Sequence, residues 1–300
     1  SGAINNTFIG HGVSDATMTD AADNNTGLGY NALGVLTSGD SNTCIGASAG
    51  DALTTGGATV AVGSSALSAD DVGTHTVAIG SQALFSQNIA SAADTYNTAV
   101  GADAGYYNET GTANTWIGSR AGYGASGQSN SNNTGIGKDA LKAITTGSNS
   151  VAIGANAADS VTTDTRFIAI GKDAFAAMVT SSETSGGQGS GNIAIGYAAL
   201  STNAQTGTLG NTVIGYQSMA DGNAVAEYNT FLGFKAGKVV TTGSNNVAVG
   251  AGAFDAVLTG VRNVIVGDDA VGSTDAAMND LVCIGRRAMN DGSLTAAASG

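Results

Sequence analysis

The chain has 300 residues, with 46 glycines, no proline, 11% charged and 5% aromatic residues, and a formal net charge of −13. An ordinary soluble domain is about 25% charged, so this composition excludes a conventional globule, and any core must be built from small and β-branched side chains. The acidic balance argues against nucleic acid and anionic lipid as partners, and no apolar run reaches the ~18 residues that a membrane span needs.

One phrase, Asn-Thr-x-Ile-Gly-x-x-Ala-Leu with variations, recurs from end to end. The first copy sets Thr7 and Ile9 before Gly10, and the next four close on Gly29, Gly46, Gly63 and Gly80. A longer interval, with residues 84 to 96 as an insertion, leads to Gly101, followed by Gly118, Gly137, Gly154 and Gly171. A second insertion, residues 175 to 191, precedes Gly196, and the series ends with Gly215, Gly233, Gly250, Gly267 and Gly285. That makes sixteen copies with a commonest spacing of 17 residues.

In every copy the residue just before the glycine is Ile, Val or Leu, and the one three before it is Thr, Val or Ile. Branched residues two apart specify one face of a short strand, and a 17-residue turn leaves no room for a helix as well. The chain is therefore predicted to be all-β: a parallel β-solenoid of about sixteen coils, a single repeat domain over residues 1–300, with each glycine at a corner of positive φ or close backbone approach. Ala usually stands three after the glycine, and Leu, Phe, Met or Val four after it in ten copies, which predicts a second inward segment. Eleven copies carry Asn four before the glycine, which predicts an amide ladder from coil to coil, with a row of sugar-binding amides as its rival.

Taking the branched pair as inward, the residue between them points outward. It is apolar nonetheless, as at Phe8, Cys44, Trp116, Val213, Phe231, Ile265 and Cys283, and these seven are the candidate chain–chain interface. A strand apolar on both faces is normally covered on both, so a partner chain is expected along the length.

The stretch Ser150-Val151-Ala152-Ile153-Gly154 resembles the repeat of YadA-like head domains in trimeric autotransporter adhesins, and the stretch from Asn211 to Met219 is also similar to repeats of bacteriophage tail fibres. The likeness covers nearly the whole chain. It implies a left-handed β-roll, a homotrimer and a role in attachment, so that the protein is expected at a virion surface or otherwise outside the cell. The repeats exceed the compact adhesin-head length, which favours a tail fibre over an adhesin head; a self-stacking filament is a further alternative. Terminal coils without polar caps, and a chain beginning at Ser1, predict a segment continued by further fibre protein.

No pattern of catalytic or metal-ligating residues emerges, so no enzyme, cofactor or metal is predicted. His11 and His75 lie in different repeats, Gly137-Lys138 and Gly237-Lys238 lack the rest of a phosphate loop, and Cys44 and Cys283 stand too far apart to pair. Acidic loops at Asp15, Asp20 and Asp23 and at Asp268-Asp269 match no calcium motif and read as turn formers. The candidate contacts to a glycan or protein receptor on a cell surface are aromatic: Tyr106 and Tyr107 in the turn after their glycine, and Tyr30, Tyr197, Tyr216 and Phe234 immediately after theirs.

Overall fold

The computed structural model describes residues 2–176, 190–201, 209–222, 226–272 and 278–289. All regular structure among them is β: sixteen strands of three residues in one parallel sheet, each beside its neighbours in sequence, as a solenoid requires. Two compact units, Ser1–Asn156 and Ala157–Gly300, divide the chain.

The first unit holds β1 (Thr7–Ile9), β2 (Thr26–Leu28), β3 (Thr43–Ile45), β4 (Val60–Val62), β5 (Val77–Ile79), β6 (Thr98–Val100), β7 (Thr115–Ile117), β8 (Thr134–Ile136) and β9 (Val151–Ile153). The register is residue for residue, so Val60, Ala61 and Val62 lie against Val77, Ala78 and Ile79. One coil shows how the path closes. Ala58 (φ 51°) turns the chain into β4, Gly63 (φ 135°) turns it out, and Ser65 and Leu67 (both φ 53°) bring it back across the interior. The left-handed conformation at Ser65 and Leu67 costs each residue energy, and regular coil-to-coil bonds hold it in place: Ser65 N–H donates to the Ala47 carbonyl at 2.8 Å and Leu67 N–H to that of Ala83 at 2.9 Å.

The corner glycine is required for two reasons. A Cβ at Gly63 would meet the Gly80 carbonyl oxygen at 2.5 Å, because successive corner glycines stack directly, and the φ of 135° disfavours any L side chain. The expected corner of positive φ or close backbone approach has both features at Gly63.

The second unit holds β10 (Ile168–Ile170), β11 (Ile193–Ile195), β12 (Thr212–Ile214), β13 (Thr230–Leu232), β14 (Val247–Val249), β15 (Val264–Val266) and β16 (Val282–Ile284), again parallel and in register. Of the insertion at residues 175 to 191, positions 177–189 lie outside the described residues.

The strand faces are the reverse of the expectation. The middle residue of each strand points into the coil: Cys44, Trp116, Val213, Phe231 and Ile265 are 0% exposed and Cys283 5%, and only Phe8, in the first coil, is half-buried. The seven candidate interface residues therefore form part of the chain's own core, opposite the segment of Ala and Leu that follows each glycine. Volume is the reason. The narrow lumen of a 17-residue coil is already filled by the residues after the glycine, such as Leu33 with Leu36 and Leu141 with Ile144, so β-branched residues at both outer strand positions cannot fit inside as well. They project from the sheet instead.

Part of the interior follows a size rule. A small strand residue faces a large residue four after the glycine in Ala61 with Leu67 and Ala248 with Phe254, whereas the large Trp116 and Phe231 face Gly122 and Gly237. Val213 with Met219 and Ile265 with Val271 depart from it, two side chains of middling size sharing one layer. Trp116 needs three glycines, since a Cβ at 105, 122 or 135 would lie 2.7, 2.3 or 2.7 Å from its ring.

Candidate functional site

The interior polar groups are engaged within the coil and unavailable for binding. Of the eleven asparagines four before a glycine, all but the half-buried Asn6 are buried, and their amides work as an internal brace. Asn246 Oδ1 accepts from the Asn263 backbone N–H at 3.1 Å and from Asn263 Nδ2 at 2.9 Å. Its own Nδ2 donates to Asn229 Oδ1 at 3.0 Å and across the coil to the Gly260 carbonyl at 2.8 Å. The same link from Oδ1 to the next backbone N–H joins Asn6, Asn25 and Asn42 in the first unit. The ladder expectation holds, with the backbone as the principal partner. Burial removes the sugar-binding rival.

The ladder is interrupted where Thr59 and Thr76 replace Asn. There the insertion at residues 84 to 96 sends Gln87 inward, which donates to Asp70 Oδ2 at 2.7 Å and accepts from Asn97 Nδ2 at 2.8 Å. Burial pushes the Asp70 carboxyl above the usual range, while the bonds from Gln87 and the Gly73 N–H pull it back.

The first exposed surface is the sheet face carried by the outer strand positions. Ile9, Leu28, Ile79, Ile117 and Ile153 in the first unit, and Leu232, Val264, Val282 and Ile284 in the second, are exposed, and the others in these columns are mostly half-buried against one another. No strand position on this face carries a charge. Nothing in the sequence analysis assigned this surface. The signal was present in the size rule, which identifies the interior column by its volume compensation.

The second kind of surface is aromatic. Tyr197, Tyr216 and Phe234 stack in successive coils with ring centroids 5.1 and 5.3 Å apart and interplanar angles of 17° and 11°. Lys172 lies over the Tyr197 ring at 5.2 Å and Lys235 over Phe234 at 4.9 Å, close enough for cation–π attraction. All three rings are exposed. Tyr106 and Tyr107 join Phe85 and Tyr123 in a half-buried cluster, with Tyr106 stacked on Phe85 at 5.0 Å and on Tyr123 at 5.2 Å. Tyr30 stands apart from these, stacked on His11 at 5.6 Å. Trp116, in the same stretch of sequence, is excluded by its burial.

The third feature is a knot at the end of the first insertion. Asp94 accepts from Tyr96 Oη at 2.6 Å, from Thr74 Oγ1 at 2.7 Å and from His75 Nδ1 at 2.7 Å. These bonds, that of Tyr96 foremost, lower its carboxyl to about 2. The acidic loops have local partners: Asp23 accepts from the Ile4 N–H at 2.7 Å, and Asp268 and Asp269 pair with Arg286 and Arg287 at 3.3 and 3.4 Å. Among the described residues no group of three or more His, Cys, Asp or Glu is placed to hold a metal ion. Cys44 and Cys283 are both free and buried, and burial pushes the Cys44 thiol up to about 12.

Comparison with known proteins gives no match to a family model, to a curated protein or to a solved structure.

Proposed function

We propose that the chain is a structural and adhesive segment of a bacteriophage tail fibre, a homotrimer outside the cell in which the solenoid is scaffold and its aromatic patches meet a glycan or protein receptor on the host. The observation that carries this reading is the uncharged, branched sheet face. Parallel sheets are stable when both faces are covered, and an apolar strip of this extent left wet is an aggregation hazard. Its columns repeat at one strand spacing, ~4.8 Å, and a covering surface must share that period. A second and third copy of this chain do, down to the same insertions, whereas an unrelated globular partner does not. The number three and the tail-fibre assignment come from the resemblance of the repeat. The reading gives the chain no catalysis and no cofactor.

The test is the mass in solution by analytical ultracentrifugation, followed by attachment to host cells. Three chains of 29.1 kDa are expected. A monodisperse monomer overturns the assembly, and a trimer that attaches to no cell surface overturns the adhesive role. Open-ended filaments would point instead to a self-stacking structural role.

A further inference from the structure

The stacked tyrosines of neighbouring coils have a chemistry that receptor contact does not use. Tyr197 and Tyr216 are 19 residues apart in sequence, yet one coil step places their rings 5.1 Å apart, nearly parallel, with 41% and 46% of each residue exposed. The indole of Trp116 and the thiol of Cys44 are fully buried and do not compete. We propose that Tyr197 and Tyr216 are an oxidative cross-linking site, joined as dityrosine by a peroxide acting through a peroxidase, which fastens one coil covalently to the next.

Each phenol gives up one electron and one proton to the oxidant, and the two phenoxyl radicals couple through their ortho carbons. The carbon–carbon bond forms, and each ortho hydrogen leaves its carbon as the ring regains aromaticity and its oxygen regains a proton. The pair loses two hydrogen atoms in all, and one hydrogen peroxide becomes two waters. Holding the rings in register turns an encounter between radicals into an intramolecular step of high effective concentration. Phe234, next in the stack, has no phenol, so this stack offers one pair. Tyr106 and Tyr123, at 5.2 Å and 24°, repeat the geometry with less exposure. Tyr30, Tyr96 and Tyr228 are more exposed, at 56, 59 and 57%, but none stacks on another tyrosine among the described residues.

Exposure alone and register therefore predict different products. The full chain, as an equal mixture of normal and heavy-nitrogen material, is treated in dilute solution with hydrogen peroxide and a peroxidase, digested and analysed by mass spectrometry and dityrosine fluorescence. The expected product is a linked peptide pair containing Tyr197 and Tyr216 from one chain, two hydrogens lighter than its parts. It should be lost in Tyr216→Phe, which keeps the ring in the stack, and in urea-unfolded chain. Links formed mainly between light and heavy chains, or through Tyr30, Tyr96 or Tyr228, overturn the proposal, as does an undiminished Tyr197–Tyr216 link in unfolded chain. This outcome is independent of the fibre reading, which the mass in solution decides.

Discussion

Gly122 and Trp116 are complementary in volume: a Cβ added at 122 would sit 2.3 Å from Cδ2 of the indole. In other coils the equivalent position is large against a small strand residue, as Leu67 is against Ala61 and Phe254 against Ala248. The pairing is thus a swap of volumes within one layer of core. Both Gly122 (φ 59°) and Leu67 (φ 53°) are left-handed, so conformation does not distinguish them.

Gly122→Leu should overpack the coil and lower stability by ~1–3 kcal/mol or more. Trp116→Ala should leave a cavity and cost ~3–5 kcal/mol. The double variant restores the common Ala/Leu pairing, so it should be markedly more stable than the sum of the two losses implies, with a coupling of ~0.5–3 kcal/mol. Urea unfolding of the four proteins measures this, and strict additivity would refute the size rule.

Asn246 is placed so that each of its polar atoms is used. Replacing it with Ala strands the buried Asn263 N–H and the Gly260 carbonyl, at ~1–3 kcal/mol for each unsatisfied group. Asn246→Asp keeps the acceptor but buries a charge, so it should be worse than Ala at neutral pH and recover in acid as the carboxyl is protonated. Hydrogen exchange should show the loss first at the Asn263 amide. Unchanged protection there would mean that the ladder contributes nothing.

Asp94 gives a pH dependence whose sign is fixed. Its carboxyl is held at about 2, below its ordinary value of 3.8, by bonds from Tyr96, Thr74 and His75. The stabilisation is therefore present above pH ~4 and lost as pH falls through about 2, because the unfolded segment takes up its proton first. Local opening of the 84–96 insertion, followed by exchange of the Thr95 amide, should rise in that window. Asp94→Asn should flatten the profile, and a profile unchanged by that substitution would remove Asp94 from the explanation.

How much of this was legible in the sequence depends on which physical quantity the pattern encodes. Gly63 and its counterparts announced the corners because a Cβ is forbidden there, and the period of Val60/Val62 announced the strands. The faces differ from expectation because branched residues two apart, as at Val60 and Val62, mark one face of a strand without fixing which way it points. Ala61, less hydrophobic but small enough for the lumen, was the better guide, and Gly122 beside Trp116 was the evidence. The Tyr197–Tyr216–Phe234 stack was legible residue by residue, but its continuity follows only from the residue-for-residue register of the coils. The Asp70–Gln87 pair had no legible signal, since it depends on how one insertion turns inward.

The corrected faces make opposite predictions for the two sets of residues. If copies of the chain pack through the exposed columns, Ile153→Glu in β9 places a charge where it would be desolvated on association but stays hydrated in a free chain. The variant should keep its β circular dichroism and melt near the parent's monomer, yet sediment at the mass of one chain. Cys44→Leu, in the column formerly assigned to the interface, should do the reverse. It overpacks a site where Gly50 already approaches, a Cβ there meeting Cys44 Sγ at 2.7 Å, so it should lower stability by ~1–3 kcal/mol. Whatever folded chain remains should still assemble. Sedimentation and thermal melting on the two variants separate the effects. An Ile153→Glu protein that keeps the parent's mass would show that the branched face is not where the copies meet.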